Sequence, residues 1–443
     1  MPEAPRGGDA GNDLELERRA RNPLARDIRE GHAAVSYLEL FFDLVFVFAI
    51  TQLSHLLLND LTPAGALRAA ILFFAVWWAW IYTAWVTNWL DPDHALNRIA
   101  LGLVMLASLM MGAAIPDAFG GGGVAFVATY LAVQIGRSLY ASFALGEWRG
   151  SHSTNSLRIA IWFMASAIPW ILGLTRDEPA WRAAWWMAAL AIEYAGPYAM
   201  FRVPLLGRST PRDWLIAGDH MAERCALFII IALGEGLLIT GATFAAAPAT
   251  PGLNAAFLLA VLGSFALWWL YFDVGARRGA EHIEHHRNPE QVARLAFTYW
   301  HIPIVAGIIV LAVADELTLL HPYDPSHADF VLVVTGGLTL FIGGNMVFKR
   351  IVGGNPWFPL SHGIGLALTL AVGGWGFAAH PSHLALAEVA TAVLVAVALW
   401  EWGSFHGGWL ERMEARGWWI SRVLRRRMDR RNARRKARAE ARG

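Results

Sequence analysis

Apolar runs of about twenty residues recur along this chain, and each is long enough to cross a bilayer core of about 30 Å as a helix. Twelve such segments are visible, near residues 38–58, 66–89, 96–116, 123–146, 156–174, 181–201, 219–245, 254–274, 294–314, 328–348, 359–378 and 384–402. Turn-forming stretches separate them, among them "NDLTPAG", "LDPDH", "FGGGG", "HPYDPSH" and "VGGNPW". Continuous apolar runs exclude barrel strands, which need alternation of apolar and polar residues. Only 16% of the 443 residues are charged, against about 25% in soluble domains. The expected fold is therefore an all-α integral membrane protein of about twelve spans.

Arginine placement tests that number, since Lys and Arg accumulate on the cytoplasmic side. Six Arg precede the first segment, and the even-numbered loops hold most of the remainder outside the tail, with Lys349 and Arg350 assigned to the tenth. The odd-numbered loops hold Arg68, Arg176 and Arg182. Both termini and all even loops are then expected in the cytoplasm. Residues 1–36 read as a polar, Arg-rich cytoplasmic arm with no apolar core of a signal peptide, disordered on composition. Residues 37–201 and 219–403 read as two six-helix halves joined by a cytoplasmic linker at 202–218. The basic tail, 404–443, carries 13 Lys/Arg against 4 acids and suits anionic lipid headgroups better than nucleic acid.

The two halves share a weak pattern. Glu39 and Gln52 in segment one stand against Glu223 and Glu235 in segment seven. "WWAWIY" stands against "WWLYFD", Arg137 against Asn345, and Glu193 against Glu401. Six spans per half predict a parallel repeat, with any binding site near the interface between halves.

Chemistry-bearing residues lie inside these segments, where an ionisable group costs at least about 2.5–3.5 kcal/mol. Glu39 and Asp43 are spaced i, i+4 and share a helix face. In "GDHMAERCALFIIIALGEGLL", Asp219 and His220 read as the start of the helix, while Glu223, Arg224 and the deep Glu235 are candidate site residues. Glu193, Asp273 and His301 join them. Arg137 is expected to neutralise Asp43 or Glu39; for Asp273, near the cytoplasmic end, pairing with Arg277 at i+4 is as good a reading as a site role. Six acids gathered with Arg137 and Arg224 in one core would leave four negative charges uncompensated, which a low-dielectric interior does not tolerate. Protonated carboxyls or a bound cation would resolve that, and either points to proton or cation handling.

Several chemistries have no sequence support. No Walker A stretch, dinucleotide fingerprint or HExxH is present, so no cofactor or metal is expected. "EHIEHHRN" reads as a solvated loop. The single Cys225 excludes a disulfide framework within the chain.

"SYLELFFDLVFVFAITQLSHLLL", "HMAERCALFIIIALGEGLL" and "HIPIVAGIIVLAVADE" together make the chain resemble the bacterial low temperature requirement protein A family over roughly residues 32–405. The resemblance implies a multi-pass membrane protein linked by name to growth in the cold, with Glu39, Asp43, Glu223, Arg224, Glu235 and His301 as motif positions without assigned roles. It implies no defined activity. Residue chemistry favours a transporter of a small solute or ion; a membrane-embedded lipid-modifying enzyme and a non-catalytic membrane factor for growth in the cold are the alternatives.

Overall fold

The computed structural model describes residues 22, 24–26, 35–146, 151–214, 218–273, 292, 294–353, 357–405 and 419. Within them the chain is all-helical, without a β-strand. Twelve helices follow one another: α1 Tyr37–Asn59, α2 Pro63–Trp89, α3 Ala95–Ala114, α4 Gly123–Ala144, α5 Ser151–Leu172, α6 Pro179–Tyr198, α7 Gly218–Ala246, α8 Pro251–Tyr271, α9 His301–Leu320, α10 Ala328–Val352, α11 Leu360–Ala379 and α12 His383–Phe405. Eleven are long and apolar enough to cross a membrane.

The twelfth is α6, whose hydropathy is lowered by Arg182, Glu193 and its aromatic residues. Its 20 residues still span about 30 Å. Both charged side chains turn away from the lipid-facing surface. Arg182 donates to the carbonyls of Ala118 and Gly120 in the α3–α4 turn at 3.0 and 2.7 Å, and Glu193 is buried among α4 and α5. A helix that hides its charges inside protein remains compatible with lipid on its outer face.

Local sequence explains the helix ends. Ser36 caps α1: its hydroxyl accepts the Glu39 amide, and Glu39 accepts the Ser36 amide in return. Thr62 and Thr250 cap α2 and α8, each followed by Pro in the first turn. Helix α2 carries "WWAWIYTAW" and is buried on every face from Trp77 to Trp89, so it runs through the middle of the bundle. Helices α9 and α10 approach closely because glycines face the contact. A Cβ on Gly307 would lie 2.6 Å from the Phe341 backbone nitrogen, and one on Gly344 would lie 3.0 Å from that of Ile304.

Six helix pairings recur in each set of six, and others do not. Helix α1 packs on α2 and α3, as α7 packs on α8 and α9. Likewise α3 meets α4, α4 meets α5, α5 meets α6 and α2 meets α6, just as α9 meets α10, α10 meets α11, α11 meets α12 and α8 meets α12. Between the sets, α1 lies against α7 and α9, and α2 against α7.

Two expectations are corrected here. The N-terminal arm is not wholly detached: the Arg26 amide donates to Trp89 O, and Leu24 O accepts from Asp91 N and from Asn97 Nδ2, so residues 24–26 lie across the end of α2. Lys349 is not a loop residue. It lies inside α10, 7% exposed, because Glu401 on α12 offers it a buried partner at 2.6 Å. The "EHIEHHRN" loop, Arg277 and nearly all of the basic tail lie outside the described residues.

Candidate functional site

The most highly charged buried cluster sits where α1, α2 and α7 meet, near the end of the bundle at which α1 begins. Arg224 is its centre and is fully buried. Its NH2 donates to Asp43 Oδ1 at 2.6 Å and its Nε to Asp43 Oδ2 at 3.2 Å. Its NH1 reaches Glu39 Oε1 at 3.2 Å and Thr87 Oγ1 at 3.0 Å. The i, i+4 spacing of Glu39 and Asp43 lets a single guanidinium fork hold both acids.

Further groups close on the two acids. Trp80 Nε1 donates to Asp43 Oδ1 at 2.7 Å, and Arg26 NH2 lies 3.1 Å from Glu39 Oε2. His220 places Nε2 3.0 Å from Glu39 Oε1, while its Nδ1 faces Asn88 Nδ2 at 3.0 Å. Two acids thus face two arginines, and the cluster is charge-balanced with a neutral His220. The excess of negative charge expected from the sequence does not arise here, because Arg26 of the arm supplies the second cation.

Arg137 is not the counter-ion of Asp43 or Glu39, contrary to the sequence expectation. It donates through NH1 to Ala79 O at 3.1 Å and Thr83 Oγ1 at 3.2 Å, and through NH2 to Gln134 Oε1 at 2.6 Å. From there a relay runs on. Gln134 Nε2 donates to Tyr130 OH at 2.9 Å, and Tyr130 OH donates to Glu193 Oε2. The other Glu193 oxygen accepts from Ser166 Oγ at 2.7 Å and Trp170 Nε1 at 2.9 Å.

The other candidates have separate surroundings. Glu235 bonds to the Thr51 hydroxyl across the α1–α7 contact and has no basic partner among the described residues. A Cβ built on the neighbouring Gly234 would meet nothing within 4 Å. Glu223 is exposed and accepts the Val35 amide at 3.3 Å. His301 is satisfied on both nitrogens, with Nδ1 2.9 Å from Ala296 O and Nε2 2.8 Å from Tyr271 OH, which makes it a fastener between α8 and α9. Asp273 lies at the end of α8, half-buried. The six acids therefore do not gather in one core; they divide among several helix contacts.

Sequence reasoning passed over His220, Arg26, Trp80 and the Lys349–Glu401 pair. The one available signal was S-x-x-E at Ser36–Glu39, a capping box that fixes where α1 starts and hence the depth of Glu39. Nothing local marks Trp80 or Arg26 as partners, since both contacts join segments that only the fold brings together.

The bacterial low temperature requirement A protein (LtrA) profile matches residues 34–399. The chain belongs to the LtrA family. The match takes in every helix that contributes to the Arg224 cluster, though not Arg26. A relative in the same size range is the uncharacterized protein RA0937 of Rhizobium meliloti (strain 1021), 39% identical over 370 residues, covering 83% of this chain and 88% of that one. No solved structure matches. In this LtrA family member the Arg224 cluster, the Arg137–Glu193 relay and the Glu235–Thr51 contact hold most of the charged residues singled out from the sequence.

Proposed function

We propose that this LtrA family protein moves a small solute or ion across the bacterial cytoplasmic membrane, coupled to protons or a cation. Two parallel six-helix halves would rock against each other along the α1–α7 contact, with both termini in the cytoplasm. Arg224 carries this reading: a residue of the second half grips Asp43 and Glu39 of the first. Such a pair must break for the halves to part at that end, and it re-forms on closure, as a gate requires. Matching helix pairings in the two sets of six support the repeat. Glu235 lies about 16 Å further along α7 than Arg224, on the same contact, and is the coupling carboxylate in this scheme. Glu39, Asp43, Glu223 and Arg224 form the gate; Arg137, Glu193, Asp273 and His301 support its walls. The basic tail would hold anionic headgroups at the cytoplasmic face.

Charge balance at Arg224 favours a second reading, in which the polar clusters only lock helices together in a non-catalytic membrane factor. Purified protein in liposomes loaded with a pH-sensitive dye separates the two. Proton entry driven by a pH, Na+ or K+ gradient should exceed that of empty liposomes and be lost in Glu235→Gln. Wild-type flux no greater than in empty liposomes under all three gradients, or full flux in both Glu235→Gln and Asp43→Asn, overturns the transport reading.

A further inference from the structure

A cavity of about 300 Å³ lies between α2, α3 and α4, with Leu38 of α1 also in its lining. Its walls are apolar for the most part, with Leu101, Val104 and Val133 prominent. Few polar residues reach it, and most are already engaged. Tyr140 OH donates to Asn97 Oδ1 at 2.6 Å, and Thr87 accepts from Arg224.

Arg137 differs. It lines the cavity, is 3% exposed, and has no carboxylate in ion-pair contact among the described residues. Its three hydrogen bonds all go to neutral oxygens, and its Nε has no partner. A guanidinium carries five N–H donors and stays charged in any protein environment. The nearest anion along the relay, Glu193, is separated from it by Gln134 and Tyr130, and both of its oxygens are already taken by Tyr130, Ser166 and Trp170.

The backbone beside it is also irregular. Residues Ala132–Gly136 form a π-helical turn directly before Arg137, and Ala132, Val133 and Gly136 all face the cavity. Such single turns inside α-helices are frequent at functional sites. A Cβ on Gly136 would meet nothing within 4 Å, so space continues along this wall.

We propose that this cavity binds a single-chain amphiphile with one anionic head, of the medium-chain carboxylate class, the head seated on Arg137 and the chain on the apolar walls. The volume stands at the lower end of the range for small-ligand pockets, which suits one chain rather than the two of a diacyl lipid. The inference is independent of the transport reading: a protein that moves nothing would still bind such a molecule.

Equilibrium binding of radiolabelled decanoate to the full chain in zwitterionic nanodiscs tests it, with decanol and acetate as competitors. Decanoate should bind saturably at one site, and decanol (no charge) and acetate (no chain) should compete about tenfold or more weakly. Arg137→Gln should weaken decanoate by about tenfold or more. Val104→Trp, which fills the cavity and leaves Arg137 in place, should abolish binding while the melting temperature stays near wild type. Equal competition by decanol, or by acetate, overturns the proposal, as does decanoate binding that survives both substitutions. Displacement of decanoate by stoichiometric phosphatidylglycerol in the disc would assign the site to a diacyl headgroup instead and also overturn it.

Discussion

Arg224 on α7 and Asp43 on α1 meet side-on, two guanidinium nitrogens on two carboxylate oxygens at 2.6 and 3.2 Å, with neither residue open to solvent. This contact joins the first helix of each half at the depth where α2 packs against both and adds Trp80. Removing one member of a buried pair strands the other charge, which costs about 3–5 kcal/mol. Arg224→Met should therefore lower stability by about that amount in detergent-solubilised thermal or denaturant unfolding. Arg224→Lys should also lose stability, because an ammonium cannot reproduce the two parallel bonds. A lysine variant as stable as wild type would show that the fork geometry is unimportant.

Tyr130 stands in the middle of the Arg137–Gln134–Tyr130–Glu193 relay, in which every donor points toward Glu193. Tyr130→Phe keeps the ring packing and removes the hydroxyl, leaving a carboxylate oxygen and an amide without their partner. A loss of about 1.5–3 kcal/mol is expected. Combined with Glu193→Gln, the loss should be clearly less than the sum of the two single changes, since both break the same connection. Additive losses would argue that the residues act independently.

Lys349 and Glu401 link α10 to α12, at 2.6 Å and almost completely buried. Each single replacement, Lys349→Met or Glu401→Leu, should destabilise by about 3–5 kcal/mol, while the double variant recovers most of that loss. A double variant as unstable as the worse single one would show that the ion pair is not what joins these helices.

Gly307 and Gly336 make contrasting positions on adjacent helices. A Cβ on Gly307 runs into the Phe341 backbone, whereas one on Gly336 meets nothing within 4 Å. Gly307→Ala should cost about 1–3 kcal/mol through overpacking at the α9–α10 contact. Gly336→Ala should be neutral or mildly stabilising, since alanine is the better helix former. Equal effects at the two sites would mean that α9 and α10 are not held at the distance described.

The sequence was sufficient for the helices themselves. Any segment of about twenty apolar residues that lies in lipid must satisfy its own backbone, and a helix does this without help from the rest of the chain. That is why the segment near 38–58 emerges as Tyr37–Asn59, and why even the weakly apolar α6 was legible. It was sufficient for part of the buried charge, though Glu223 is exposed and the loop-assigned Lys349 and Arg182 are buried: Glu39, Asp43, Glu193, Arg137 and Arg224 are all under 4% exposed. Their partners were not legible. Arg137 and Arg224 are equally plausible neighbours for Asp43 by residue type and depth. The choice falls to Arg224 because α7, not α4, presents its side chain to the Glu39–Asp43 face of α1. That choice depends on helix rotation and crossing, which are set by side-chain packing over the whole bundle and leave no periodic trace in any one segment. His220, which reads from the sequence as the start of a helix, became a partner of Glu39 for the same reason, and so did Arg26 from an arm whose composition suggested disorder.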